Sequence, residues 1–257
     1  MAGTNRDRTL DGIRGCLALL VFTHHSVQAA TGSLVLLKPA TLAVFVFFML
    51  SGCVLTRAWD GRYPRFLAGR IVRLWPVYAL CLAVGYLLSG TPPSLAQFAW
   101  CAGALDKPIV DIPAWSLVVE AWAMPFMPLF VWVSRRSLPW LLAALAATLL
   151  CAISLYPLAL YGVFFFAGAW VSRFSIRWSP LEARLPQWLG RVSYPLYLCH
   201  WPILFFLGLP IFVTVPLSLA VAVLLTATVE AWSIRASRAI RLQPLRPAMA
   251  EGALQSG

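Results

Sequence analysis

The chain has 257 residues, of which 61% are hydrophobic and 11% charged, with a mean hydropathy of +0.80. An average soluble domain is about 25% charged, so the composition excludes an ordinary soluble enzyme and implies an all-α polytopic transmembrane bundle. The net charge of +11 would suit nucleic acid, but the basic residues gather in short segments between apolar runs, so no nucleic-acid partner is expected.

Apolar runs of membrane length fall at 13–31, 39–56, 71–89, 117–134, 138–156, 157–173, 192–209 and 211–233, which predicts about eight spans. Alternate loops then place seventeen arginines, from Arg6 to Arg246, on one side, and only Lys38 and Lys107 on the other. By the positive-inside rule both termini face the cytoplasm, as an even number of spans requires. Residues 1–241 read as a single membrane-embedded domain and 242–257 as a disordered tail. A cleavable leader ending near Val27-Gln28-Ala29 is not expected, because His24 and His25 interrupt its apolar region.

The first span carries Arg14 and His25, eleven residues apart. At about 100° per residue that spacing returns to within roughly 20° of one helix face, with a rise of about 16 Å. Ionisable groups at such depth face a bundle interior or a water-filled path, so both are functional candidates. Arg70 and Arg73 stand three apart at the cytoplasmic mouth of the third span, as neighbours on one face. Two guanidiniums so placed suit phosphate; they also fit an ordinary positive-inside role.

Residues 90–114 form the longer external segment, with Asp106 and Asp111, and 94–105 could lie in the interface as a short amphipathic helix. Trp115 and Ser116 open the fourth span, and Glu120 follows one turn after Ser116. A carboxylate in the outer half needs a partner, and the histidines are nearest by height; Glu120 is therefore read as orienting His25 as general base. The alternative is a Glu satisfied by backbone or Trp donors. His200 lies midway along the seventh span in SYPLYLCHWP, and Glu230 near the inner end of the eighth, where Arg235 offers a local ion pair. The six cysteines, Cys16, Cys53, Cys81, Cys101, Cys151 and Cys199, show no CxxC and no spacing with histidine that binds metal, so neither a disulfide framework nor a metal is expected.

Five ordered segments together resemble the acyltransferase 3 family of integral-membrane O-acyltransferases. They are LDGIRGCLALLVFTHHS (10–26), FVFFMLSGCVLT (45–56), FLAGRIVRLWPVY (66–78), WSLVVEAW (115–122) and LGRVSYPLYLCHWP (189–202). The resemblance implies transfer of an acyl group, most often acetyl, from cytoplasmic acyl-coenzyme A to a hydroxyl of an extracytoplasmic carbohydrate or glycolipid. It implies His25 as the catalytic histidine with Arg14 as companion and Glu120 in support, Arg70 and Arg73 on the donor, and Trp115, Ser116 and His200 on substrate. Acyl-coenzyme A would be a co-substrate, with no permanently bound cofactor. The Arg-, Ala- and Leu-rich composition suggests a bacterial inner membrane. This chain departs from the family in its span count, two fewer than the usual ten or so. Phe45 also stands where many members have Asp or Glu, and a fused hydrolase-like domain is not expected, so direct transfer by the membrane part is implied. A transporter or flippase for a glycolipid or polysaccharide is the rival reading, and an inactive relative acting as an assembly partner a third. Prolines 125, 128, 195 and 202 suit broken transport helices, but the internal repeat common in transporters is missing.

Overall fold

The computed structural model describes residues 7–91, 93–102, 110–154 and 157–242. Asp106, Lys107 and the tail from 243 onward lie outside them. The described residues form helices and connecting turns, with no strand among them. In a bilayer this is the expected economy, because a helix satisfies its backbone N–H and C=O groups within itself.

In chain order the helices are α1 (Arg8–Thr31), α2 (Leu37–Arg57), α3 (Tyr63–Ser89), α4 (Leu95–Ala102), α5 (Trp115–Ala123) and α6 (Met127–Ser134). They continue with α7 (Leu138–Ser154), α8 (Gly162–Val171), α9 (Arg184–Phe206), α10 (Ile211–Leu225) and α11 (Ala231–Leu242). Four helical stretches among the described residues are long and apolar enough to cross a membrane: Leu37–Arg57, Tyr63–Ser89, Ile112–Ser134 and Ile211–Leu242. Leu138–Ser154 and Ala159–Val171 are shorter apolar helices. The external segment contains a helix, α4, over part of the stretch expected to be amphipathic.

Local chemistry explains the interruptions. Asp7 caps α1 by accepting from the Leu10 amide at 3.2 Å, and Gly32 ends it at φ +71°, donating to the Gln28 carbonyl at 2.8 Å. Pro125 falls in the 3-10 turn Met124–Phe126 that divides α5 from α6. A π turn, Thr226–Glu230, joins α10 to α11 and carries buried Glu230.

Helix–helix contacts rest on glycines. A Cβ on Gly190 would strike the Asp11 carbonyl; on Gly15 it would strike the Gly190 amide nitrogen, and on Gly12 the Leu181 carbonyl. α1 and α9 therefore touch backbone to backbone and run parallel, since residues 12, 15 and 25 meet 181, 190 and 200 in rising order. The α2–α8 crossing is built likewise, with Gly52 against the Phe165 carbonyl and Gly168 against that of Met49. Above it Phe48 packs on Trp115, Tyr161 and Phe165. Phe45 stacks on Phe164 with centroids 4.8 Å apart.

Gly190→Val places a branched side chain against rigid backbone. It is expected to destabilise the purified protein by about 1–3 kcal/mol, as overpacking does, read as a lower melting midpoint in detergent. Cys16→Ala, at an exposed position, is expected to leave the midpoint unchanged.

Candidate active site

α1 and α9 are joined at two levels by side chains. Near the end of the bundle that carries Asp7, Arg8 and Arg57, Arg14 donates from Nη2 to the Gly190 carbonyl at 2.8 Å and from Nε to Ser193 Oγ at 3.1 Å. The same Nη2 pairs with Asp11 Oδ1 at 2.9 Å. Arg14 is thus a cross-strut as well as a cation. Towards the other end, His25 Nδ1 meets His200 Nε2 at 2.8 Å. The two rings are nearly coplanar, 17° apart, with centroids 5.0 Å apart. That separation is the one an edge-to-edge N···N bond produces; face-to-face stacking would bring the centroids closer.

The surroundings of this pair are aromatic and rigid. Trp201 presents its edge to His25 at 5.0 Å between centroids, and Phe22 to His200 at 5.9 Å. His24 lies beside His25, 4.8 Å between centroids. His200 is fully buried, and its Nδ1 lies 2.8 Å from the Leu196 carbonyl one turn earlier. His25 is half-buried, and its Nε2 has no hydrogen-bond partner among the described residues.

Glu120 stands elsewhere. Its Oε1 accepts from Arg70 Nη2, with the side chains 14% and 11% exposed respectively. The expected orientation of His25 by Glu120 is therefore corrected: the carboxylate is taken by the nearest guanidinium, and His25 is held by His200. The physical reason is that a desolvated guanidinium, always charged, competes for a carboxylate better than a neutral imidazole does. Glu230 is buried and acts electrostatically on Arg73.

Arg70 and Arg73, on α3, converge with Arg14 of α1 and Arg241 of α11, since Arg73 lies in the field of all three. Gly69 makes room for this: a Cβ there would sit 3.0 Å from Arg241 Nε, and Ser237 donates to the Gly69 carbonyl at 2.6 Å. Arg70 Nε and Arg241 Nε are buried and have no hydrogen-bond partner among the described residues. Buried donors of this kind suit an anionic oxygen. Arg241 carried no signal in the sequence that separated it from the other basic-loop arginines; only the docking of α11 on α3 singles it out.

Trp115 and Ser116 join neither group directly. Trp115 is packed between Phe48 and Tyr161, with centroids 5.9 and 5.3 Å away. Ser116 Oγ lies 2.9 Å from Tyr197 Oη, which also donates to the Pro113 carbonyl at 2.9 Å. This ties the start of α5 to α9 one turn before His200. Asp111, expected in the external segment, is fully buried next to this contact, and its carboxyl oxygens have no partner among the described residues.

A cleft of about 560 Å³ opens at the basic end between Arg8, Arg57, Arg173, Arg177, Asp7 and Glu182. Its side chains are bound to one another and to the connection: Arg57 binds Asp7 Oδ2 and the Phe174 carbonyl, each at 2.6 Å, and Arg8 binds the Glu182 backbone carbonyl at 2.8 Å. It locks the 172–182 connection under α1 and contains none of the site residues.

Glu120→Leu leaves Arg70 desolvated without its counter-ion and is expected to cost about 3–5 kcal/mol; replacing both, Arg70→Met with Glu120→Leu, is expected to recover most of that loss. Thermal melts of the single and double variants in one detergent check this.

Residues 7–186 match the acyltransferase domain that defines the acyltransferase 3 family. A stretch of 84 residues is 39% identical to "Protein 2 in picA locus" of Rhizobium radiobacter, covering 29% of this chain and 41% of that protein. No solved structure matches. The family match spans well over half of the sequence and contains, in order, the segments bearing Arg14 and His25, Gly52, Arg70 and Arg73, and Glu120. The chain therefore belongs to the acyltransferase 3 family.

Proposed function

We propose that the protein is a multi-pass O-acyltransferase of a bacterial inner membrane, with about eight spans and both termini in the cytoplasm. It moves an acyl group, acetyl in the simplest case, from cytoplasmic acyl-coenzyme A to a hydroxyl of an extracytoplasmic carbohydrate or glycolipid. What supports this reading is one arrangement: an arginine cluster with unsatisfied buried donors at the basic end, and a half-buried imidazole on α1 about 16 Å beyond Arg14, the α1 member of that cluster.

Donor phosphates would meet Arg73, Arg70 and Arg241 at the basic mouth, which the positive-inside rule turns to the cytoplasm. The extended pantetheine arm then carries the thioester towards His25. His25 takes the proton of the acceptor hydroxyl as its oxygen attacks the thioester carbonyl carbon. The carbon–sulfur bond breaks, the carbon–oxygen bond forms, and the proton passes on to the departing thiolate. Arg14 holds α1 against α9 so that the imidazole stays in register with the cluster. Trp115 and Ser116 act on the acceptor side through the wall they form with Tyr197.

His25→Ala is expected to abolish thiol release from acetyl-coenzyme A while expression and elution volume stay unchanged; near wild-type turnover would remove His25 from the chemistry. Arg73→Gln is expected to raise the apparent KM for donor about 10- to 100-fold, the loss of one or two charge-assisted hydrogen bonds, with kcat little changed. Movement of a glycolipid across proteoliposomes without thioester consumption would favour a flippase.

A further inference from the structure

We propose that His200 is the positioning residue for His25, fixing it as the Nδ1–H tautomer so that Nε2 is the atom that receives the acceptor's proton. The proposal rests on the reading of His25 as base and adds its partner and its reactive atom. The family match ends at residue 186, so His200 lies outside it.

The Leu196 carbonyl can only accept, so His200 Nδ1, 2.8 Å away, carries a proton. His200 is fully buried and no carboxylate among the described residues bonds to it, so a second proton would bury an unpaired charge. Its Nε2 is therefore a lone pair, and it faces His25 Nδ1 at 2.8 Å. His25 must supply the hydrogen from Nδ1. Neutral His25 then has a bare Nε2 on a half-buried ring, with no hydrogen bond to that nitrogen among the described residues.

The near-coplanar rings, with the edges of Trp201 and Phe22 against them, hold this bond in line. A catalytic imidazole is ordinarily oriented by a carboxylate on its other nitrogen. Here the chain is backbone carbonyl, imidazole, imidazole, because Glu120 is engaged by Arg70. When Nε2 takes the hydroxyl proton and later returns it to the thiolate, the Nδ1–H bond to His200 persists throughout, and no other group changes protonation.

Glutamine places its amide oxygen near the position of His200 Nε2 and can still accept from His25; asparagine is one bond too short. The chain has three histidines, so ¹⁵N-histidine NMR of the full-length protein in nanodiscs reads their tautomers directly. In the wild type and in His200→Gln, His25 is expected to be protonated on Nδ1 alone, and in His200→Asn to become a tautomer mixture. Thiol release from acetyl-coenzyme A, with the host's envelope glycans as acceptor, is expected to fall on the order of 10²-fold in His200→Asn at unchanged donor KM, and to stay within about tenfold in His200→Gln. Protonation of wild-type His25 on Nε2, one tautomer across all variants, or equal activity of the Gln and Asn variants would each overturn the proposal. Should His200→Asn fail to fold, the wild-type and Gln spectra still decide. Undiminished turnover in His25→Ala would remove the base reading instead, and the spectra alone would then report on His200.

Discussion

Helices in a bilayer gain little by burying apolar side chains against one another, since the lipid they displace is as apolar as leucine. The α1–α9 pair is held by shape and polar contact. Gly15 and Gly190 let the two backbones touch, Gly12 admits the turn that leads into α9, and the close approach makes the rest geometrically possible. Arg14 can then reach the Gly190 carbonyl and Ser193, and His25 can reach His200. Move the helices apart by the thickness of one methyl group and both links lengthen together. The site is thus a property of one interface, with Arg14 setting its register at one end and the imidazole pair at the other.

Desolvated charge settles the rest. Arg70 takes Glu120, Arg73 lies in the field of Glu230, and Arg14 takes Asp11. None of these carboxylates bonds to a histidine among the described residues. A base whose partner is neutral differs in kind from one backed by a carboxylate: the partner fixes tautomer and direction but adds no opposing charge when the base is protonated. The same pairings leave particular guanidinium N–H groups, those of Arg70 and Arg241, without acceptors. In the proposed function these are the donors that would meet an incoming anion.

The glycine in LSG and the glycine in AGR read in the sequence as parts of family-like segments. In three dimensions Gly52 admits the Phe165 carbonyl and Gly69 leaves room for Arg241. Likewise Ser116 and Tyr197, 81 residues apart, become one hydrogen-bonded wall. Trp115 is legible as an aromatic at a helix start, but its packing between Phe48 and Tyr161 is set by helices that follow no local rule.

Periodicity, hydropathy and the placement of arginines are local quantities, and they determined that the chain is helical, membrane-bound and basic at one end. The spacing of Arg14 and His25 on one helix face was legible for the same reason, because a helix's geometry is set by its own backbone. Partnership was not legible. Which of several carboxylates and imidazoles meets which cation depends on helix crossings far apart in sequence, and on the competition among buried charges once those helices are packed. Tertiary structure alone therefore decided that His25 answers to His200, and Glu120 to Arg70.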